Sequence, residues 1–98
     1  MTNYDVEFSE EAIADLDSSF EWGRETWGAV EAAAWYIEIR DSITKMLSTF
    51  PLSQPIALDD DEYVFEVRQM VIDRYHVIFN IENKRVTILH IRGPYIGK

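Results

Sequence analysis

The apolar pattern of this chain changes period once, and the change straddles a proline. From Ala12 to Phe50 the apolar residues recur three or four apart, which is the spacing of one helix face. From Tyr63 to Ile91 they gather into short runs rich in valine, isoleucine, tyrosine and phenylalanine, which is strand chemistry. Pro51 lies between the two regimes and cannot sit inside a helix. Helices therefore come first and sheet afterwards, an order that points to an α+β fold in which the sheet buries one face against the helices.

The residues refine this outline. In "YDVEF", Tyr4, Val6 and Phe8 alternate with Asp5 and Glu7, which predicts a short half-buried strand. Ser9 is placed to cap a helix, with Glu10 and Glu11 at the positive end of its dipole. Ala12, Ile13, Leu16 and Phe20 supply that helix's apolar stripe, and Gly23 and Gly28 around "RETW" predict its end and a short turn. Ala32, Tyr36, Ile39, Ile43, Met46, Leu47 and Phe50 predict a second, longer helix from about Ala29 to Thr49. "PLSQPIALDDDEY" reads as a loop, and "YVFEVRQMVI", "RYHVIFNI" and "RVTILHI" as three strands. The expected order is β-α-α-β-β-β in one domain spanning residues 1–98: an antiparallel sheet with an N-terminal helical hairpin packed on one face.

The charge of −9 is unevenly spread. Residues 1–50 hold eleven acids against three bases, "DDDE" at 59–62 adds four acids, and residues 63–98 hold six bases against three acids. Such asymmetry points to an interaction surface on the C-terminal part. Without cysteine there is no disulfide or thiolate metal site, and two separated histidines make no zinc-binding pattern. No cofactor or metal is called for. No apolar run reaches the length that spans a bilayer, and "MTNYDVEFSEE" lacks the basic and apolar regions of a signal peptide, so a soluble cytoplasmic protein is expected.

Side-chain placement in the last hairpin depends on register. Closure over Glu82-Asn83-Lys84 pairs Ile81 with Arg85, Val77 with Leu89 and Tyr75 with Ile91. It buries Tyr75, Val77, Phe79, Leu89 and Ile91 together and sets His76 opposite His90 and Arg74 opposite Arg92. Closure over Asn83-Lys84 alone inverts the last strand. The first register is preferred because it segregates the polar set. Trp22, Trp27 and Trp35 fall in or near the helical hairpin, as core or as a partner-facing surface. The acidic "DDDE" run reads as a solvated loop.

A short first strand running into "FSEEAIADL", a helical hairpin, a stop at Phe50-Pro51 and the block "FEVRQMVIDRYHVIFNIENKRVTILHIRG" together resemble the RelE/ParE superfamily of type II toxin–antitoxin toxins. The resemblance covers essentially the whole chain and rests on pattern and order. It implies a growth-arresting toxin neutralised by a cognate antitoxin protein, as a homodimer or a toxin–antitoxin hetero-oligomer. RelE-like members cut messenger RNA on the ribosome without metal, whereas ParE-like members poison DNA gyrase.

Metal-free RNA cleavage activates a ribose 2′-hydroxyl, stabilises charge on the phosphorane and protonates the leaving oxygen. On the resemblance, Arg68 holds phosphate, Arg92 and Arg74 stabilise the added charge, and His76 or Tyr95 transfers the proton. This retained set favours a metal-independent endoribonuclease, and ribosome-dependent mRNA cleavage is the activity the resemblance leads us to expect first. Tyr75-His76 stands where many relatives carry Tyr-Arg, and Gly93-Pro94-Tyr95 where many carry Gly-x-Arg. Those changes, with the acidic charge, favour a ParE-like gyrase inhibitor or a degenerate member without toxicity.

Overall fold

A computed structural model of the chain describes residues 3–57 and 63–93. The elements are β1 (Asp5–Phe8), α1 (Glu10–Trp27), α2 (Ala29–Thr49), a 3-10 turn (Pro51–Ser53), β2 (Arg68–Ile72), β3 (Tyr75–Glu82) and β4 (Arg85–Arg92). The α+β expectation and the β-α-α-β-β-β order hold. The last three strands form the expected antiparallel meander, while β1 pairs parallel with β4, so the sheet is mixed with order β1-β4-β3-β2.

Ser9 caps α1 as its type predicts: its Oγ accepts the Ala12 N–H at 3.1 Å. The helix does not stop at Gly23, as the sequence reading expected, but runs on to Trp27. Gly23 is buried, and a Cβ there would lie 3.0 Å from the Trp27 ring and 3.5 Å from Ala32 Cβ. This glycine therefore serves close helix–helix packing and not a turn. The true break is Gly28, at φ 101, a backbone state that L side chains rarely adopt. One residue thus reverses the chain, and α2 starts and ends where the apolar stripe predicts.

The core lies between the hairpin and one sheet face. Leu16, Ile39, Ile43 and Leu47 from the helices meet Val77, Phe79, Val86 and Ile88 from the sheet, all at most 4% exposed. Fully burying an aliphatic side chain of this size is worth about 1.5–3 kcal/mol, so this layer is the main source of stability.

Two expectations about the strands change. "YVFE" is not strand: β2 begins only at Arg68, where Ala57 N–H donates to Val67 O at 2.9 Å and Gln69 N–H to Pro55 O at 3.0 Å. The chain from Pro55 to Ala57 therefore occupies the outer edge of β2. Tyr63 and Phe65 instead pack on one another, and the Tyr63 ring lies 6.4 Å from that of His90.

The second change is the register of the last hairpin. It closes over Asn83-Lys84, with Glu82 opposite Arg85, and not over the preferred three-residue loop. Asn83 takes φ 60, which asparagine tolerates. A bulge then reverses the consequence: Phe79 pairs with Ile88 and Ile78 with His90, so Leu89 is the extra residue. Val86, Ile88 and Ile91 are buried, and Leu89 is only half-buried. His76 faces Arg92 and not His90, and Arg74 lies in the β2–β3 turn, outside the ladder.

Candidate functional site

On β3, Tyr75, Val77 and Phe79 point into the core, so His76 points to the opposite face. On β4 the bulge inverts parity after Ile88, which buries Ile91 and leaves Arg92 exposed beside its partner His76. Arg74 reaches the same place from the β2–β3 turn, where Asp73 and Arg74 sit at φ 51 and φ 70. That turn geometry favours Asn-Gly or Asp-Gly, and an arginine there carries about 1–2 kcal/mol of backbone strain. Together Arg74, His76, Arg92 and Gly93 line a shallow depression of about 340 Å³. Gly93 fits because a Cβ there would fall 2.2 Å from the buried Tyr75 ring.

Three of the five residues singled out from sequence thus come together. Arg68 does not join them. It shares the core-side parity of Met70 and pairs with Phe79, three residues along β3 from His76, or about 10 Å. Its Nη1 donates to Gln54 O at 2.6 Å and reaches Leu52 O at 3.5 Å, and its Nη2 lies 3.8 Å from Glu66. This guanidinium ties the post-α2 segment to β2. Tyr95, Pro94 and the "DDDE" run lie outside the described residues.

His90 is taken by another partner: its Nδ1 lies 3.1 Å from Asp15 Oδ2, the oxygen that also accepts the Ile91 N–H at 2.8 Å. In the sequence Asp15 is one of the eleven acids of residues 1–50, with nothing in the charge pattern to set it apart. The available signal was its position beside Leu16 on the apolar stripe, where a carboxylate is expected to have a partner.

The hairpin carries a second surface. Asp17, Phe20, Ala33, Tyr36 and Ile37 line an apolar depression of about 260 Å³, near the exposed Val30. Tyr36 OH donates to Asp17 Oδ1 at 3.3 Å; partial burial and the Asp17 charge raise the phenol above its ordinary value of 10.0. Trp35 packs against the core and Trp22 is half-buried, while Trp27 is exposed and meets Trp22 edge to face. Among the described residues no helix is long and apolar enough to cross a membrane, and no group of three His, Cys, Asp or Glu could hold a metal ion.

Residues 6–93 match the family described as ParE toxin of type II toxin-antitoxin system, parDE. The chain belongs to this family. The same fold occurs in the chromosomal ParDE toxin–antitoxin system from P. aeruginosa, with a TM-score of 0.77 at 18% identity, covering 92% of this chain and 95% of that one. It recurs in the RelBE2 toxin–antitoxin complex from Mycobacterium tuberculosis, with a TM-score of 0.65 at 20% identity, covering 97% of this chain and 95% of that one. No curated protein sequence matches significantly. As a ParE-family toxin the chain keeps the two-layer scaffold, with its paired arginines and His76 at one end of the sheet and its acidic residues concentrated on the hairpin.

Proposed function

We propose that this ParE-family toxin acts by binding DNA gyrase and not by cutting RNA. The carrying observation is the make-up of the Arg74–His76–Arg92 depression. Metal-free RNA cleavage needs a base for the 2′-hydroxyl and an acid for the leaving oxygen, besides charge stabilisation. Among the described residues lining this depression only His76 can transfer a proton, and Arg68 is bonded to backbone carbonyls elsewhere. An open, cationic, half-apolar end of a sheet is suited to contacting an acidic protein surface.

The second reading is ribosome-dependent mRNA cleavage, favoured by the convergence of Arg74 and Arg92 around His76. It requires Tyr95, the ribosome or another group to supply the second proton transfer. On either reading the toxin is held inactive in the cytoplasm by an antitoxin. A basic amphipathic antitoxin segment suits the apolar depression at Phe20, Ala33 and Ile37, given the eleven acids in residues 1–50.

The test is expression without antitoxin, followed by gyrase supercoiling assays on the purified chain and primer extension on translated transcripts. Inhibited supercoiling with intact transcripts, weakened on Arg92→Ala, supports the proposal. New cuts within translated codons, lost on Arg92→Ala, move the activity to RNA. No arrest at good soluble expression removes both.

A further inference from the structure

Strand β4 outlasts its neighbour. β1 pairs with it from Arg85 to Ile88 and then turns into α1, so among the described residues no strand lies beside the outward backbone groups of Leu89 and Ile91. Side chains and backbone of the start of α1 take the place of the missing strand. Ser9 N–H donates to Ile88 O at 2.9 Å, Ser9 Oγ donates to Leu89 O at 3.0 Å, and Asp15 Oδ2 accepts the Ile91 N–H at 2.8 Å. The same Asp15 oxygen holds His90 Nδ1 at 3.1 Å, with both side chains less than a third exposed. These bonds flank the Leu89 bulge on both sides.

The bulge decides which way Arg92 points. Extending the unbulged register from Glu82–Arg85 would pair Ile91 with His76, turning Ile91 outward and Arg92 toward the core. With the bulge, Ile91 is buried and Arg92 sits opposite His76 on the outer face. A bulge leaves a residue unpaired and weakens the ladder locally, so it persists only where something else satisfies the backbone.

We propose that Asp15 is a positioning residue for the Arg74–His76–Arg92 depression: it stands in for the absent strand, holds the Leu89 bulge and thereby presents Arg92. The consequence for inhibition rests on the gyrase reading; the consequence for backbone protection does not. Asp15→Ala removes the acceptor. Asp15→Asn keeps an oxygen for the Ile91 N–H and loses only the charge toward His90, so it serves as the conservative rescue.

The experiment uses the full chain as wild type, Asp15→Ala, Asp15→Asn, Arg92→Ala and the Asp15→Ala/Arg92→Ala double variant. It reads amide hydrogen exchange at Ile91, Val77 and Phe79 by NMR, and the concentration that half-inhibits gyrase supercoiling. Asp15→Ala is expected to speed Ile91 exchange by about tenfold or more, with Val77 and Phe79 unchanged. It is expected to weaken inhibition by about tenfold, with substantial recovery in Asp15→Asn. In the Arg92→Ala background, Asp15→Ala is expected to add less than about twofold, since it acts through Arg92. Unchanged Ile91 exchange in Asp15→Ala overturns the inference, and so does an equal loss of inhibition in both backgrounds, which is the mark of general destabilisation. Full inhibition by Arg92→Ala refutes the gyrase assignment of the depression, and Ile91 exchange then still decides whether Asp15 holds the bulge.

Discussion

Gly93 leaves no room for a side chain. An ideal Cβ there lies 2.2 Å from both Cδ2 and Cε2 of Tyr75. Carbon atoms prefer 3.5–4.0 Å, so the overlap is roughly 1.5 Å. The ring has no simple escape: Tyr75 is 0% exposed, and the Trp35 ring stands 5.7 Å from it. Either the end of β4 lifts away or the core repacks, at a cost of about 1–3 kcal/mol. Gly93 lies outside the left-handed region, so alanine also gains about 0.4–1 kcal/mol by restricting the unfolded chain. The net for Gly93→Ala is a loss of about 1–2 kcal/mol, which in a domain of this size lowers Tm by roughly 5–15 °C. Urea and thermal unfolding followed by far-UV circular dichroism and tryptophan fluorescence would read it. A second cycle in a Tyr75→Leu background, where the ring is gone, should shrink the loss to under about 0.5 kcal/mol. Equal stability of Gly93→Ala and wild type would refute the claimed close approach.

Three further substitutions separate fold from function. Arg74→Gly should stabilise the β2–β3 turn by about 0.5–1 kcal/mol, because φ 70 suits glycine, while weakening target inhibition; a variant both more stable and fully inhibitory would remove Arg74 from the site. Arg68→Ala should cost about 1–2 kcal/mol in urea unfolding through the lost bonds to Gln54 O and Leu52 O, and should leave inhibition intact at temperatures where the variant is folded. Abolished activity in a folded Arg68→Ala protein would instead favour the RNA reading. The raised Tyr36 phenol binds its proton more tightly folded than unfolded, so its contribution is full below pH 10 and is lost as pH rises through the folded value. Ultraviolet titration should place Tyr36 among the late-ionising tyrosines, and Asp17→Asn should move its ionisation earlier; no change on that substitution would discard the Asp17 contribution.

Much of the scaffold was legible because its determinants are local. Ser9 before two glutamates, an unbroken stripe from Ala32 to Phe50 and a proline at 51 fix α2 and the start of α1 with few alternatives. The misreadings occur where a distant contact decides. Gly23 has the composition of a helix end, yet it is buried against Trp27 and Ala32, which no local rule reveals. "YVFE" has the composition of a strand, but β2's outer edge is claimed by Pro55–Ala57 and Tyr63 packs near His90, so propensity yields to pairing.

The candidate site shows the same limit more sharply. Arg74, His76 and Arg92 could be picked out as residue types, but whether they meet depends on parity, and parity in β4 is set twice. The two-residue turn at Asn83-Lys84 inverts the strand relative to the preferred register, and the Leu89 bulge inverts it back beyond Ile88. The strand pattern alone puts Arg92 on the correct face only through a register that does not occur, and for the same reason it gives no sign that His90 meets Asp15 or that Leu89 is bulged. Period-two patterns carry no mark for an inserted residue, since "TILHIR" alternates acceptably with or without one. What specifies the bulge lies 75 and 76 positions away, in a carboxylate on α1 that bonds His90 and Ile91. The face on which this toxin presents Arg92 is therefore a property of the helix–sheet junction and not of β4 alone.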